Sequence, residues 1–469
     1  MGSKDIEVEA LSSPKEASAS LSTWKAEKPT ARARLKGVAN WIAEHELWLL
    51  AVPVTLMLFS GQLPIQVISA SLLLIPISWV CRWAAKGYLT APTPMDLPIV
   101  VLLGMALVGL YPSVVPSVSK LVLYKMIVEF ALFYGLVNGL HSERRIRGTV
   151  AVLLLAGVGA SLLGLVGTAG MARDFSALWG GYGNFLLKLA RRLNEAGFNG
   201  NIVGGTVAMI FPLYLSLFLF DSKGPSASSG RGLWKLLLGL SLPLVGGTLL
   251  LTQSRGAIVG VVLALLVVGV WRSRWVLASL PVLFTGIPSA VGRFGAQQVT
   301  EFFLVTNTTM TAAGRSELWQ RAIYMMQDFP YTGVRLGTFS RVMPVLYPTF
   351  LIGPDAEVPH AHNLYLQMGV DLGVPGLVAG MALISVFLLI GISALWRARG
   401  TRLEGIAIGA MGGFLVYLVH GLVDNITFST KPGVAIWTII GLATALWLRF
   451  KDPVKHNVPY QKESTRCLN

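Results

Sequence analysis

Cysteine is nearly absent, with only Cys81 and Cys467 in 469 residues. Neither sits in a CxxC pair or a Cys/His cluster, which argues against a disulfide framework or a zinc ribbon. Charge is also scarce at 13% of residues, and acids are outnumbered by Lys and Arg, 23 to 38. There are six histidines. No GxxxxGK[ST] phosphate loop occurs, so ATP-driven transport by this chain is not expected. No repeat of about 20–50 residues marks a solenoid or propeller. Residues 1–45 are rich in Ser, Ala, Lys and Glu without an apolar run. They read as a mostly disordered tail and not as a cleaved signal peptide.

What the chain has in excess is apolar length. Hydrophobic residues make up 54% and the mean hydropathy is +0.63. Runs of roughly 17 to 25 apolar residues recur, the length that crosses a bilayer as a helix. They fall near 46–60, 63–80, 96–112, 118–140, 148–169, 201–220, 233–251, 256–271, 275–290, 374–396, 403–424 and 432–449. The predicted fold class is an all-α polytopic membrane protein of about 12 transmembrane helices, with both ends of the chain on one side of the membrane. The formal charge of +15 would suggest nucleic acid in a soluble chain, but most of the Lys and Arg fall in 1–45, in alternate short loops such as HSERRIRG and WRARGTR, and in 451–469. That is the positive-inside bias, and it places those segments in the cytoplasm. Two segments on the outer side are long. Residues 170–200 contain NFLLKLARRLNEAGF, patterned as an amphipathic surface helix. Residues 291–361 form the largest extramembrane segment, with SELWQRAIYMMQ predicted as a helix that starts near Ser316 and stops before Pro330. Residues 362–450 then re-enter the membrane. In the span 148–169, Gly157, Gly164 and Gly167 predict close helix packing inside the bundle.

The basic residues on the outer side are the chemically informative ones. Arg255 in TQSRGA and Arg315 in GRSELW each precede a predicted helix start, where a cation opposes the helix dipole unless an anion is shared between the two. Two such arginines point to a phosphate or pyrophosphate ligand. The alternative for Arg315 is a local ion pair with Glu317 or Glu301. Lys120 and Lys125, near the outer end of a span, either snorkel to the interface or face an interior anion site. Arg335 and Arg341 add positive charge to the large loop, where at least one is expected on a solvated face. His360 and His362 lie at re-entry in VPHAHNLYLQMGVDLGVPG, with Asn363, Tyr365 and Gln367 as polar company and Pro375 to kink or restart the helix. An imidazole there is suited to proton abstraction near neutral pH. An HxH pair also invites a metal reading, but the only supplement in sequence is His420 with Asp424, and no metal is expected.

The order TQSRGA, GRSELW and HNLYLQMGVDLGVPG, on the outer side of a many-span chain, resembles the O-antigen ligases. These share a superfamily with O-antigen polymerases and protein O-oligosaccharyltransferases. The likeness covers roughly 46–450. It implies a GT-C-like glycosyltransferase of the bacterial inner membrane, with a periplasmic active site and no cofactor. Such an enzyme moves a preassembled glycan from undecaprenyl pyrophosphate to the lipid A core. The resemblance puts the catalytic histidine on His362 and the pyrophosphate-binding residues on Arg255, Arg315 and either Lys120 or Lys125. It does not require His360. The short segment after the last span tilts the expectation from protein-glycosylating relatives to a ligase. A lipid-linked glycan transporter is the more remote alternative, since its unusual charges belong near the bilayer midplane.

The charge pattern is testable directly. With Cys81 and Cys467 replaced, a cysteine at Thr349 is expected to react with a membrane-impermeant thiol reagent in spheroplasts. One at Gly400 is expected to react only after the membrane is opened.

Overall fold

A computed structural model describes residues 30–60, 63–111, 113–168, 199–220, 230–279, 312–353, 358–425 and 432–451, with isolated positions between 281 and 295. Among these the chain is helical and holds no strand. The helices are α1 (Ala31–Glu44), α2 (Glu46–Leu58), α3 (Ile65–Ser71), α4 (Leu74–Lys86), α5 (Asp96–Leu110), α6 (Pro116–Gly139), α7 (Glu143–Gly167), α8 (Gly200–Phe220), α9 (Gly230–Leu251), α10 (Arg255–Arg272), α11 (Ala312–Asp328), α12 (Phe339–Leu346), α13 (Leu364–Ala398), α14 (Glu404–His420) and α15 (Gly433–Lys451).

Among the described residues, length and composition qualify 8 helices to cross a membrane, or 9 if α1 and α2, bent by 52° at His45, count as one span. α5 and α14 are as apolar but shorter, 15 and 17 residues. The chain is a polytopic all-α membrane protein. Several sequence expectations change in detail. The expected tail includes a helix, α1, which Thr30 caps by accepting from Ala33 N–H. The expected span at 275–290 begins as a short 3-10 turn, Arg274–Ser279, and most of the rest lies outside the described residues, as does the amphipathic segment 170–200. α7 packs on α8 through Gly157 against Tyr214 and Gly164 against Val203. Its other face, with Val152 and Leu155, is exposed, so this helix lines the bundle and is not enclosed by it.

α14 is the centre of the helix packing. Small residues bring its backbone close to its neighbours, because lipid supplies no hydrophobic drive and contact area must come from close approach. A Cβ on Gly409 would lie 2.7 Å from Leu213 Cα of α8, and Gly413 abuts the carbonyl of Met209. Gly260 of α10 likewise faces Val416 of α14 at 3.2 Å. A buried ion pair between Arg82 and Glu46 joins α4 to α2. It is extended by Arg82 to the Ala43 carbonyl at 2.9 Å and by Asn138 of α6 to Glu46 at 3.4 Å.

The chain's turns collect at two ends of the bundle. One end gathers the α13–α14 turn and the start of α7, tied by Arg147 to the Arg402 carbonyl at 2.9 Å; there Arg449 also bonds the His141 carbonyl at 2.9 Å. The other end carries α11, α12 and the first turn of α13. Here α13 is broken at Gly373 (φ 70°, ψ −178°), two residues before Pro375. The gap admits the 329–338 loop: Val374 N–H donates to the Pro330 carbonyl at 2.7 Å, and Val334 N–H to the Val370 carbonyl at 2.8 Å. Gly337 N–H reaches Asp371 at 3.2 Å, and Ser119 of α6 donates to the Leu336 carbonyl at 2.8 Å. The loop is thus wedged between α13 and α6.

Gly373 and Gly400 (φ 78°) both need left-handed backbone, yet only Gly373 is crowded, with Tyr331 C 2.6 Å and Pro330 O 2.8 Å from a built Cβ. Gly400→Ala is expected to cost about 1 kcal/mol from backbone strain alone. Gly373→Ala should cost clearly more, read as a larger drop in thermal unfolding temperature in detergent.

Candidate functional site at the α13–α14 junction

The start of α13 is stitched to the end of α14. Leu364 N–H donates to the Gly421 carbonyl at 2.7 Å. Asn363 caps α13 by accepting from Tyr365 and Leu366 N–H, each at 3.0 Å, while its Nδ2 donates to the Leu422 carbonyl at 3.0 Å. Tyr365 donates from its hydroxyl to the Leu418 carbonyl at 3.0 Å, and Gln367 Oε1 holds Ala361 N–H at 2.8 Å. The polar residues after His362 therefore position the turn.

That stitching places Asp424, just past α14, against both histidines. His362 Nδ1 lies 3.1 Å from Asp424 Oδ1, and His360 Nε2 lies 3.7 Å from the same oxygen. His420 Nε2 is 4.0 Å from Asp424 Oδ2. His362 takes φ 46°, in the left-handed region, which is unusual for a non-glycine residue and marks a turn fixed by its surroundings. The bend brings His362 N–H to His360 Nδ1 at 3.2 Å and stacks the two rings at 4.3 Å.

Burial alone would raise the Asp424 carboxyl, but the hydrogen bond from His362 and the neighbouring imidazoles outweigh it and hold Asp424 below the usual carboxylate range. It is ionised at neutral pH and can only accept. His362 Nδ1 therefore carries the proton it donates to Asp424, which leaves Nε2 as a lone-pair acceptor. His360 is pushed down to about 4, first by burial and then by His362, so it is neutral at physiological pH.

Arg315 is buried, 5% exposed, and its Nε has no hydrogen-bond partner among the described residues. Burial lowers its pKa, Asp424 favours its charge and Arg255 opposes it, so both arginines share the field of the cluster. Gly256, next to Arg255, packs on Val423 and lies 2.9 Å from His420 Cδ2 at its built Cβ. Arg255 is the first residue of α10, as its sequence position implied. Arg315 is instead the fourth residue of α11, because that helix begins at Ala312. The local ion pair with Glu317 does not form. Glu317 bonds Arg321 at 3.4 Å and accepts from Phe350 and Leu351 N–H at 2.7 and 2.9 Å, while Glu301 lies outside the described residues.

Residues 240–381 match the O-antigen ligase family profile. The match covers about 30% of the chain and is a likeness to that family over this stretch. No curated protein matches the chain. The matched stretch contains Arg255, Arg315 and His362. Asp424 and His420 lie beyond the matched range.

The remaining sequence candidates separate. Arg335, at φ 88°, folds back on Thr332 Oγ1 at 2.6 Å and on the Gly333 carbonyl, so it braces the 329–338 loop. Arg341 is exposed on α12, as expected for one of the pair. Lys120 is exposed at the start of α6, and Lys125 is half-buried one turn before Glu129, with which it interacts electrostatically. Sequence reasoning weighed Asp424 only as a remote metal ligand. The available signal was its position, an acid at the end of an apolar span and one turn past His420.

Asn363→Ala removes a cap and the bond to Leu422. It is expected to lower stability by about 1 kcal/mol, with Asn363→Asp, which keeps the cap, losing less; thermal unfolding in detergent reads both.

Proposed function

We propose that the chain transfers a preassembled glycan from undecaprenyl pyrophosphate to a sugar hydroxyl of the lipid A core, in the inner membrane. The observation that carries this reading is the His362–Asp424 pair beside Arg315 and Arg255, within and next to the stretch that matches the O-antigen ligase family.

In this reading His362 Nε2 takes the proton from the acceptor hydroxyl as that oxygen attacks the anomeric carbon of the donor glycan. The bond from that carbon to the pyrophosphate oxygen breaks, and undecaprenyl pyrophosphate leaves with the electron pair. The proton remains on His362, whose new positive charge faces ionised Asp424. A single displacement inverts the anomeric configuration. Arg315 and Arg255 offset the negative charge that builds on the departing oxygens. Fixed guanidinium groups in a water-poor site can do this without a divalent metal. Lys120 and Lys125 are the candidates for the more distant phosphate. Both substrates are lipids, so their headgroups meet at one interface and the encounter is pre-oriented.

Orientation follows from charge. The bundle end carrying Arg145, Arg147, Arg397 and Arg449 faces the cytoplasm in this reading, which puts the His–Asp cluster on the periplasmic side. The sister activities, glycan polymerisation and transfer to protein Ser or Thr, use the same donor and differ in acceptor.

The test is ligation by purified protein with the lipid-linked glycan and lipid A core, in EDTA. Wild type is expected to form product. His362→Ala is expected to lose on the order of 10²- to 10⁴-fold in turnover. Asp424→Asn should lose comparably by releasing the tautomer, and Arg315→Ala about 10²- to 10³-fold. Full activity of folded His362→Ala would remove the base. Transfer only to glycan or to protein acceptors would move the assignment to a sister activity.

A further inference from the structure

His360, His362 and Asp424 present more than a hydrogen-bonded base. One ligand-capable atom from each residue lies within 4.8 Å of the other two, and Asp424 Oδ1 is 3.1 Å from His362 Nδ1 and 3.7 Å from His360 Nε2. Tetrahedral zinc with bonds of about 2.0–2.1 Å needs ligand atoms about 3.3–3.4 Å apart. The two separations from Asp424 already straddle that spacing. Two imidazoles and one carboxylate with a fourth position left open form a donor set that suits Zn²⁺ or Co²⁺ and not Mg²⁺ or Ca²⁺, which take oxygen ligands.

We propose that this triad is an inhibitory site for a borderline transition-metal ion, Zn²⁺ foremost, bound by His360, His362 and Asp424. The site itself is independent of the glycan-transfer reading; the inhibition rests on it. A neutral imidazole carries one proton. When the metal takes the Nδ1 lone pair of His362, that proton moves to Nε2, and the nitrogen that would accept the hydroxyl proton becomes a donor. Asp424 is withdrawn from His362 in the same event.

Two features keep the site weak enough to be reversible. Coordination through His360 Nε2 shifts the His360 proton to Nδ1 and sacrifices the 3.2 Å bond from His362 N–H. Arg315, which shares the electrostatic field of Asp424 and His360, repels the cation. Binding is therefore looser than in closed four-ligand zinc sites. A pyrophosphate held by Arg315 would draw that repulsion away, so donor and metal need not exclude one another.

The test uses the full-length protein in detergent, stripped with EDTA and exchanged out of it, then titrated with Co²⁺. Wild type is expected to develop the visible absorption of tetrahedral Co²⁺ with one ion per chain. Zn²⁺ should displace the ion and Mg²⁺ should not. His360→Ala, a partly exposed position, and Asp424→Asn are expected to bind at least ~10-fold more weakly, the loss seen even for groups that only hold a ligand in place. Thermal unfolding confirms that each variant is folded. Absence of tetrahedral absorption in the wild type, or unchanged binding in folded His360→Ala, would overturn the site. In the ligation assay Zn²⁺ should stop transfer and EDTA restore it. Saturating Co²⁺ or Zn²⁺ with undiminished transfer would overturn the inhibitory role. The spectrum reports on the site even where no transfer is seen, so failure of the site and failure of the transfer reading are distinguishable.

Discussion

The site depends on one junction, the backbone and side-chain stitching of residues 363–365 to residues 418–422. Without it, His362, just before α13, and Asp424, just past α14, are separated by some sixty residues of chain. With it, an acid from the end of α14 lies 3.1 Å from an imidazole at the start of α13. Each stitch also satisfies a backbone group that a helix end leaves open: the Asn363 side chain takes two N–H groups of α13, and the Leu418, Gly421 and Leu422 carbonyls receive donors from the other strand of the junction. At the edge of an apolar bundle an unpaired polar group is costly. The bonds that complete the helix ends are thus the same bonds that position His362 against Asp424.

The rest of the fold supports that junction at two depths. Beneath it, the glycines of α14 let α8 and α10 approach closely, so α14 has little freedom to shift or rotate. Beside it, the break in α13 at Gly373 takes in the 329–338 loop, and this locks the first two turns of α13 to α6 and to the end of α11. Arg315 sits on α11 and reaches the same electrostatic field. A buried arginine with an unsatisfied Nε, and a second arginine close enough to oppose it, are stable together only if anionic charge is shared between them. Asp424 supplies one such charge. In the proposed function a phosphate would supply another, and in the proposed metal site the same arginine charge would temper affinity for cations.

Much of this was legible in the chain itself. Apolar runs located the helices because a bilayer demands length and backbone satisfaction before anything else. The polar residues interrupting them marked the candidate site: His362, Arg255 and Arg315 stand out because charge is so scarce. What the sequence could not show was adjacency across distance. Asp424 stood out only beside His420 in a metal reading, and its pairing with His362 appears only when α13 and α14 meet. Arg335 and Arg341 were alike in sequence, yet one braces a loop through a left-handed backbone while the other is solvated. The helix start at Ala312 was also missed, since Ser316 followed by Glu317 reads as the start signal and Gly314 as part of a turn, although Thr311 stands directly before Ala312. Tyr365, Asn363 and Gln367 were read as company for a histidine, and their contacts show them to be its frame.

The central claim is that the junction pairs an oriented base with an anion site. The most direct measurement is a structure of the protein with undecaprenyl pyrophosphate bound. The account expects the pyrophosphate within hydrogen-bond distance of Arg315 and Arg255, with His362 Nε2 facing the space in front of it and Nδ1 still on Asp424. A pyrophosphate seated away from both arginines, or His362 turned from that space with the lipid in place, would contradict it.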